Sequence, residues 1–275
     1  MRSNPSPSLV TRSRRPLPAR GRAARFALSL ARVALGLGLI ALLLLAALPL
    51  LVGAAAPTLL SFAGVRGTNT AVSLEAGPLS LLGGAVDRLT FSSTDLDLAG
   101  RGHAGSLQAT LSGLSVPGRR FVDSQISATD ITFTTANDGQ PFSMRSISGS
   151  GPSSAIAVRA FFDRADLLSL LALEGADKYS GGTTSGLTLG TDHFVLQTSG
   201  GAKSGALSIA AGAVVFTPDQ GPAQLVYTPK AGAVWHLTGV TIAPTGVTLT
   251  GTVDLTRLLN ADATAGQIFD QLVPR

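Results

Sequence analysis

Apolar and polar positions follow two regimes along this chain. From Val33 to Val65 no side chain is charged, and VALGLGLIALLLLAALPLLVG runs twenty-one residues from Val33 to Gly53 on Leu, Ala, Gly, Val, Ile and one Pro. A helix of about 20 residues at ~1.5 Å rise crosses the ~30 Å hydrocarbon core, and inside lipid a helix closes all its own backbone hydrogen bonds. The pattern predicts a membrane-spanning helix over residues 33–56, followed by a helical or irregular neck over 57–70. A cleaved signal peptide is the alternative, suggested by the small residues Ala54, Ala55 and Ala56. Against it stand an apolar run longer than the ~7–15 residues of a usual signal core, the long basic lead, and Pro57, which cleavage after Ala56 would leave first.

From Ala71 onward the spacing changes to that of strands, rich in Thr, Ser, Val, Leu and Gly. In three successive segments the alternation slips by one residue near the middle. Over 86–98, Leu89 and Phe91 share one phase, and Leu96 and Leu98 carry the other. Over 106–116, Leu107, Ala109 and Leu111 give way to Leu114 and Val116, and over 121–135, Val122, Ile126 and Ala128 give way to Ile131 and Phe133. A one-residue slip moves every later side chain to the other face unless an extra residue absorbs it. Three long strands that each slip predict a strongly curved sheet; the alternative is that each segment is two shorter strands at the corner of a sandwich.

Asn137-Asp138-Gly139 predicts a hairpin joining strands near 127–135 and 142–148, because Asp and Gly accept positive φ. A strand over 153–162 runs into a helix over 164–174, with Asp163 and Asp166 in its first turn and Leu167, Leu168, Leu170, Leu171 and Leu173 as its apolar positions. Residues 180–186 read as a loop. Strands are then expected over 187–198, 205–217, 222–229, 233–243 and 246–253, with Pro218, Pro222, Pro229 and Pro244 at edges and turns. The junctions AFFDRADLLSLL and GTVDLTRLL share an order of strand, Asp and Leu-Leu, which suggests a duplicated plan of sheet plus helix. The expected class is α+β, predominantly β: a membrane helix followed by a long curved antiparallel sheet wrapping around one or two helices.

Charge orients the membrane helix. Residues 1–32 hold eight arginines and no acid, and the first acidic residue is Glu75. The positive-inside bias keeps the N-terminus in the cytoplasm and places the chain beyond about residue 57 outside, as a single-pass protein of the cytoplasmic membrane. The same arithmetic changes the meaning of the basic composition. Of 21 Lys+Arg, those eight lie in the tail, leaving 13 against 16 Asp+Glu for residues 33–275. The outer part is therefore slightly acidic, which disfavours a nucleic-acid partner. The tail, which has no composition for folding, can touch anionic lipid headgroups. The organisation expected is a basic tail over 1–32, an anchor over 33–56, a neck over 57–70 and an extracytoplasmic domain over 71–275.

Candidate chemistry is sparse. The chain has no cysteine, which excludes thiol catalysis, Cys-ligated metals and lipid attachment through Cys, and leaves an exported domain to rest on core burial alone. No N-glycosylation sequon occurs. The three histidines, His103, His193 and His236, have no metal-ligand spacing. No Gly-x-Ser-x-Gly elbow occurs, and GGAKSG over 200–205 lacks the Gly before Lys that a phosphate loop needs. Asp95 and Asp97, on one face of a regular strand, read as a solvated pair. No cofactor, metal or catalytic residue is assigned, and the chain is not expected to be an enzyme.

The segment VSLEAGPLSLLGGAVDRLTFSSTDLDLAG resembles the opening of the LmeA-like phospholipid-binding family, once a domain of unknown function. FDRADLLSLL and APTGVTLTGTVDLTRLL are similar to that family's later blocks, so the resemblance extends from about Ala71 to Leu259. It departs from the family where Ala76-Gly77-Pro78-Leu79 replaces a Gly-Phe-Pro-Phe-like turn. The resemblance implies an extracytoplasmic, tubular BPI-like lipid-binding domain, in which a curved sheet and a helix enclose an apolar groove for a phospholipid or envelope glycolipid. The side chains available to line such a groove are Leu89, Phe91, Leu107, Leu111, Ile126, Phe133, Leu167, Leu170 and Leu171. Each of them is also suited to plain core packing, and a filled, anchored structural or adhesive β domain is the competing expectation. Protein partners are not legible in the sequence.

Overall fold

The computed structural model describes residues 65–98, 102–115, 117–118, 120–134, 141–173, 184–220, 222–227 and 234–260. The expected tail, the membrane segment over 33–56 and residues 57–64 of the neck lie outside them. Among the described residues no helix is long and apolar enough to cross a membrane.

Six strands come first: β1 (Val65–Glu75), β2 (Ala85–Leu98), β3 (Gly102–Ser115), β4 (Asp123–Thr134), β5 (Pro141–Ser150) and β6 (Ile156–Asp163). A short helix α1 (Pro78–Leu82) links β1 to β2, and α2 (Arg164–Leu173) follows β6. Then come β7 (Thr184–Leu189), β8 (Phe194–Thr198), β9 (Gly201–Ala210), β10 (Ala213–Pro218), β11 (Gln224–Tyr227), β12 (Trp235–Ala243), β13 (Gly246–Val253) and α3 (Leu255–Asn260). All pairings are antiparallel, in an eight-stranded sheet of order β1-β2-β3-β4-β5-β6-β13-β12 and a five-stranded sheet of order β11-β10-β9-β8-β7. The protein is thus predominantly β, with one large antiparallel sheet and few helices.

The strands that slip phase are continuous, not pairs of shorter strands. In β3 the buried positions are Ala104, Leu107, Ala109, Leu111 and Leu114, so the spacing is two in the middle and three at either end. Its neighbour matches it. Val86, Leu89, Phe91, Ser93 and Leu96 are buried in β2, and every β2–β3 pair from Ala85↔Ser115 to Asp97↔His103 stays in one register. The slip is absorbed by residues that lie in one row across the sheet. Asp95, Gly105, Asp130 and Arg145 each sit between the pairs that flank them, Thr94↔Ser106 and Leu96↔Ala104, Ser106↔Thr129 and Ala104↔Ile131, Thr129↔Ser146 and Ile131↔Met144. Asp95 and Asp130 take φ of 54° and 51°, the left-handed region that Asp tolerates better than most residues. Glycine fits closely between them at position 105, where a Cβ would stand a tight 3.0 Å from the Asp130 Cβ. Because each strand carries its extra residue at the same level, the ladder is kept and the apolar set returns to the same face.

Helix α2 starts as its sequence predicts. Asp166 N donates to Asp163 Oδ1 at 2.9 Å and Asp163 N to Asp166 Oδ2 at 3.2 Å, a reciprocal cap that satisfies two otherwise unpaired amides. Ser143 Oγ donates to Asp166 Oδ1, so this buried carboxylate is held from both sides. The second junction repeats the device with one bond: Arg257 N donates to Asp254 Oδ1 at 3.0 Å at the start of α3. The strands leading to the two helices, β6 and β13, are antiparallel neighbours, which puts the helices at opposite ends of the pair. Ser153 ties the second end down, accepting from Leu255 N at 2.8 Å and Thr256 N at 3.1 Å through its carbonyl.

Several expectations need correction. β1 takes in Val65–Thr70 of the expected neck. The segment 187–198 is two strands, β7 and β8, turning at Gly190–His193, where Gly190 N donates to His193 O at 2.8 Å. Thr184–Gly186 of the expected loop belongs to β7. The segment 205–217 is also a hairpin, β9 to β10, whose turn residues Ala211 and Gly212 have φ of 51° and 76°. Ala-Gly gives no turn signal of the Asn-Gly kind, so the break is invisible in the pattern. Val122 is 71% exposed instead of sharing a phase with Ile126. The hairpin between β4 and β5 pairs as expected, from Gln125↔Ser150 to Thr134↔Pro141, while Asn137-Asp138-Gly139 itself lies outside the described residues. So does Gly175, the expected end of α2.

Two substitutions test this account. Ala211→Gly removes a left-handed alanine from an exposed turn and is expected to stabilise the chain by about 1 kcal/mol in chemical denaturation. Asp166→Ala removes the reciprocal cap and leaves Ser143 unpaired, with an expected loss of about 1–3 kcal/mol by the same measurement.

Candidate functional site

The large sheet separates two surfaces of opposite character. On one, cross-strand neighbours form apolar rows: Phe91, Ala109, Ile126, Gly149, Val158, Gly251 and Leu237 in one, and Leu107, Ala128, Ile147, Ala160, Leu249 and Val240 in the next. These join Ile131, Met144, Phe162, Trp235 and Leu255 in a single buried cluster. Of the nine predicted groove residues, Leu89, Phe91, Leu107, Leu111 and Ile126 lie here, each 0–3% exposed. Leu167 of α2 packs against the cluster, half-buried. Phe133 occupies β4, opposite Gly102 and Phe142, and Leu170 and Leu171 occupy α2; their side chains lie outside the described residues. The described ones thus share one surface as buried core, and the helix expected beside that surface packs on β5, β6 and β7. Beside Trp235, Leu237 and Leu249 is a space of about 20 Å³, room for about one water.

The opposite surface is polar, and it is concave. Its rows read Thr90, Thr110, Gln125, Ser150, Ala157, Thr252 and His236, then Ser92, Gln108, Ser127, Ser148, Arg159 and Thr250. A trough of about 620 Å³ runs over the part of these rows from β3 to β12. Arg159 is the one charged side chain in its lining. Sequence reasoning missed this feature entirely, since most of its polar residues are ordinary solvent-side Ser, Thr or Gln, each on its own strand.

A third cluster sits on the small sheet. His193 Nε2 lies 3.1 Å from both carboxylate oxygens of Asp219, and Ser204 Oγ donates to Asp219 Oδ2. Pairing of β8, β9 and β10 brings the three together, and Asp219 N donates to Ser204 O at 3.0 Å. The composition is that of a nucleophilic triad, but the order is not. The carboxylate stands between hydroxyl and imidazole, so the ring does not receive the Ser204 proton as a general base must. The group therefore serves as a surface clasp. The Ser204 hydroxyl, and after it the His193 ring, hold the Asp219 carboxyl below its ordinary range.

The remaining sequence candidates are dispersed. Asp95 breaks the strand alternation that would have put it on one face with Asp97, and it faces His103 at 3.5 Å. His236 lies exposed on β12. Among the described residues no three His, Asp or Glu side chains are gathered in a way that would hold a metal ion. Comparison with family models, curated proteins and solved structures gave no match to this chain.

The clasp predicts a pH dependence. A carboxyl whose folded pKa is depressed stabilises the fold above its unfolded value, about 3.9, and that contribution is lost as pH falls through the folded value. Asp219→Asn is expected to lower stability at pH 6 in urea titrations, and its deficit relative to the unsubstituted chain to shrink toward pH 3. A deficit independent of pH would show that the charge of Asp219 is irrelevant.

Proposed function

We propose that this chain is a membrane-anchored lipid-binding protein that holds or transfers a phospholipid or envelope glycolipid outside the cytoplasmic membrane, with its N-terminus in the cytoplasm. One observation carries the reading: the large sheet keeps a single unbroken apolar face through its kinks, and the predicted groove residues whose side chains are described all lie on it or packed against it. A surface of that kind suits an acyl chain, because burying hydrocarbon yields about 0.8 kcal/mol per CH₂ and asks for no directional partner. In this reading the sheet wraps around α2 and the chain belongs with the LmeA-like, BPI-like lipid binders that its sequence resembles. Residues 33–56 keep the domain beside its source of lipid. The protein acts by binding and not by catalysis.

A second reading has its own support. The described side chains of the apolar face are covered to within a few per cent without any ligand, and the space beside them is about 20 Å³. On this view the same face is the core of an anchored structural or adhesive domain. The two differ in whether the face opens. Full-length chain extracted in a non-lipid detergent and passed to native mass spectrometry is expected to carry one lipid per chain, and Ala109→Trp, which crowds the face at its middle, is expected to lower that occupancy, with thermal unfolding measured beside it to separate lost lipid from lost fold. Lipid-free chain from every preparation, with no uptake of a fluorescent phospholipid from vesicles, would leave the structural reading standing alone.

A further inference from the structure

The polar trough lies behind the sheet from the apolar face, so its occupant is a different ligand, or a different part of one, from whatever the apolar face holds. Six strands build it, and its polar side chains are hydroxyls and carboxamides with one guanidinium, set among Ala109, Ile126, Ala157 and Val158. Little of that hydrogen-bonding capacity is used among the described residues: across the lining the one side-chain bond to them is the long Thr238–Thr250 contact of 3.5 Å. Arg159 stands between Ser148 and Thr250 in its row, exposed, with no ion-pair or hydrogen-bond partner among the described residues. Two other arginines of this sheet are paired, Arg88 with Glu75 at 3.8 Å and Arg145 with Asp130 at 2.8 Å, while Arg66 on the edge strand β1 lies away from the trough.

A ligand is defined by what it must match. The volume of about 620 Å³ lies in the range of small-molecule sites, and the lining mixes apolar atoms with polar ones but holds no aromatic ring of the kind most of them use. Hydroxyl and amide rows call for a ligand with many hydroxyls of its own. A lone guanidinium, planar and always charged, calls for one oxyanion, which it can grip through two parallel N–H···O bonds. No carboxylate lines the trough to repel such a group. We propose that this trough binds a polyol phosphate, with the phosphate on Arg159 and the hydroxyls on Gln108, Gln125, Ser127, Ser148 and Thr250. The shared chemistry occurs both in free sugar phosphates and in the glycerol-phosphate headgroup of a lipid.

The test uses the full chain in nanodiscs of phosphatidylcholine, titrated calorimetrically with glucose 1-phosphate, glucose and inorganic phosphate. A parallel arm measures flotation with phosphatidylglycerol vesicles. Glucose 1-phosphate is expected to bind at least about tenfold more tightly than glucose, in keeping with a charge-assisted contact, and more tightly than inorganic phosphate. Arg159→Gln is expected to weaken it by about the same factor and Arg159→Lys by less, since the charge stays and the fork is lost. Vesicle binding with the same dependence on Arg159, in place of binding to the free compound, assigns the site to a lipid headgroup. Because Arg159 is exposed, thermal unfolding of both variants is expected to match the unsubstituted chain. No binding in either arm, binding unchanged by Arg159→Gln, or equal affinity for inorganic phosphate and glucose 1-phosphate overturns the proposal, whatever becomes of acyl binding on the other face.

Discussion

The structure depends on keeping a backbone ladder intact while its strands change phase. A strand of 14 residues such as β2 or β3 cannot stay flat, because side-chain sterics twist it, and a long twisted sheet loses contact with a single core. Here the strands bend at shared levels. Asp95, Gly105 and Asp130 take up the extra residue together, so neighbours remain paired above and below the bend. Had one strand alone carried the insertion, every side chain beyond it would have crossed to the solvent face. The aligned bend is what allows Leu96, Ala104 and Ile131 to join Leu89, Leu111 and Ile126 in one cluster.

Two surfaces of opposite character follow from that constraint. A sheet with one consistent inner face has, by alternation, one consistent outer face, and curvature makes part of the outer face concave. The inner face supplies a hydrocarbon environment and the outer face a field of hydroxyls around Arg159. The small sheet braces the arrangement from one side: β9 packs on β12, and Asp192 N donates to Ile242 O at 2.9 Å across the join. Its own clasp of His193, Asp219 and Ser204 is exposed and works through hydrogen bonds within the small sheet, in keeping with a structural task.

Much of this is legible in the sequence. The slip from Phe91 to Leu96, and those from Leu111 to Leu114 and from Ala128 to Ile131, marked where the strands bend, because burial on one face leaves a mark in spacing; that each is one continuous strand and not two at a corner was decided by the pairing. Asp163 and Asp166 announced the start of α2, because a cap is a local bond between residues three apart. The hairpins within 187–198 and 205–217 were not legible. Ala211 adopts its left-handed conformation because β9 and β10 pair on either side of it, and nothing in an Ala-Gly pair requires this. Val122 misled for a related reason. Its neighbour Gly113, at φ 61°, places a second bend just there, and Val122 is carried to the outside.

The sequence by itself determined most of the residues that turn away from water, where α2 begins, and that thirty-three residues without charge precede a part of the chain that is β-rich and slightly acidic. Those properties are set by neighbours along the chain and by the transfer of side chains out of water. Only the tertiary structure decided that the strands divide into two sheets, that Ser204 donates to Asp219 instead of His193, and that Gln108, Gln125, Ser148, Arg159 and Thr250 line one trough. Those are matters of register between strands up to about a hundred residues apart, and register is a property of the assembled sheet, with no trace in any single segment.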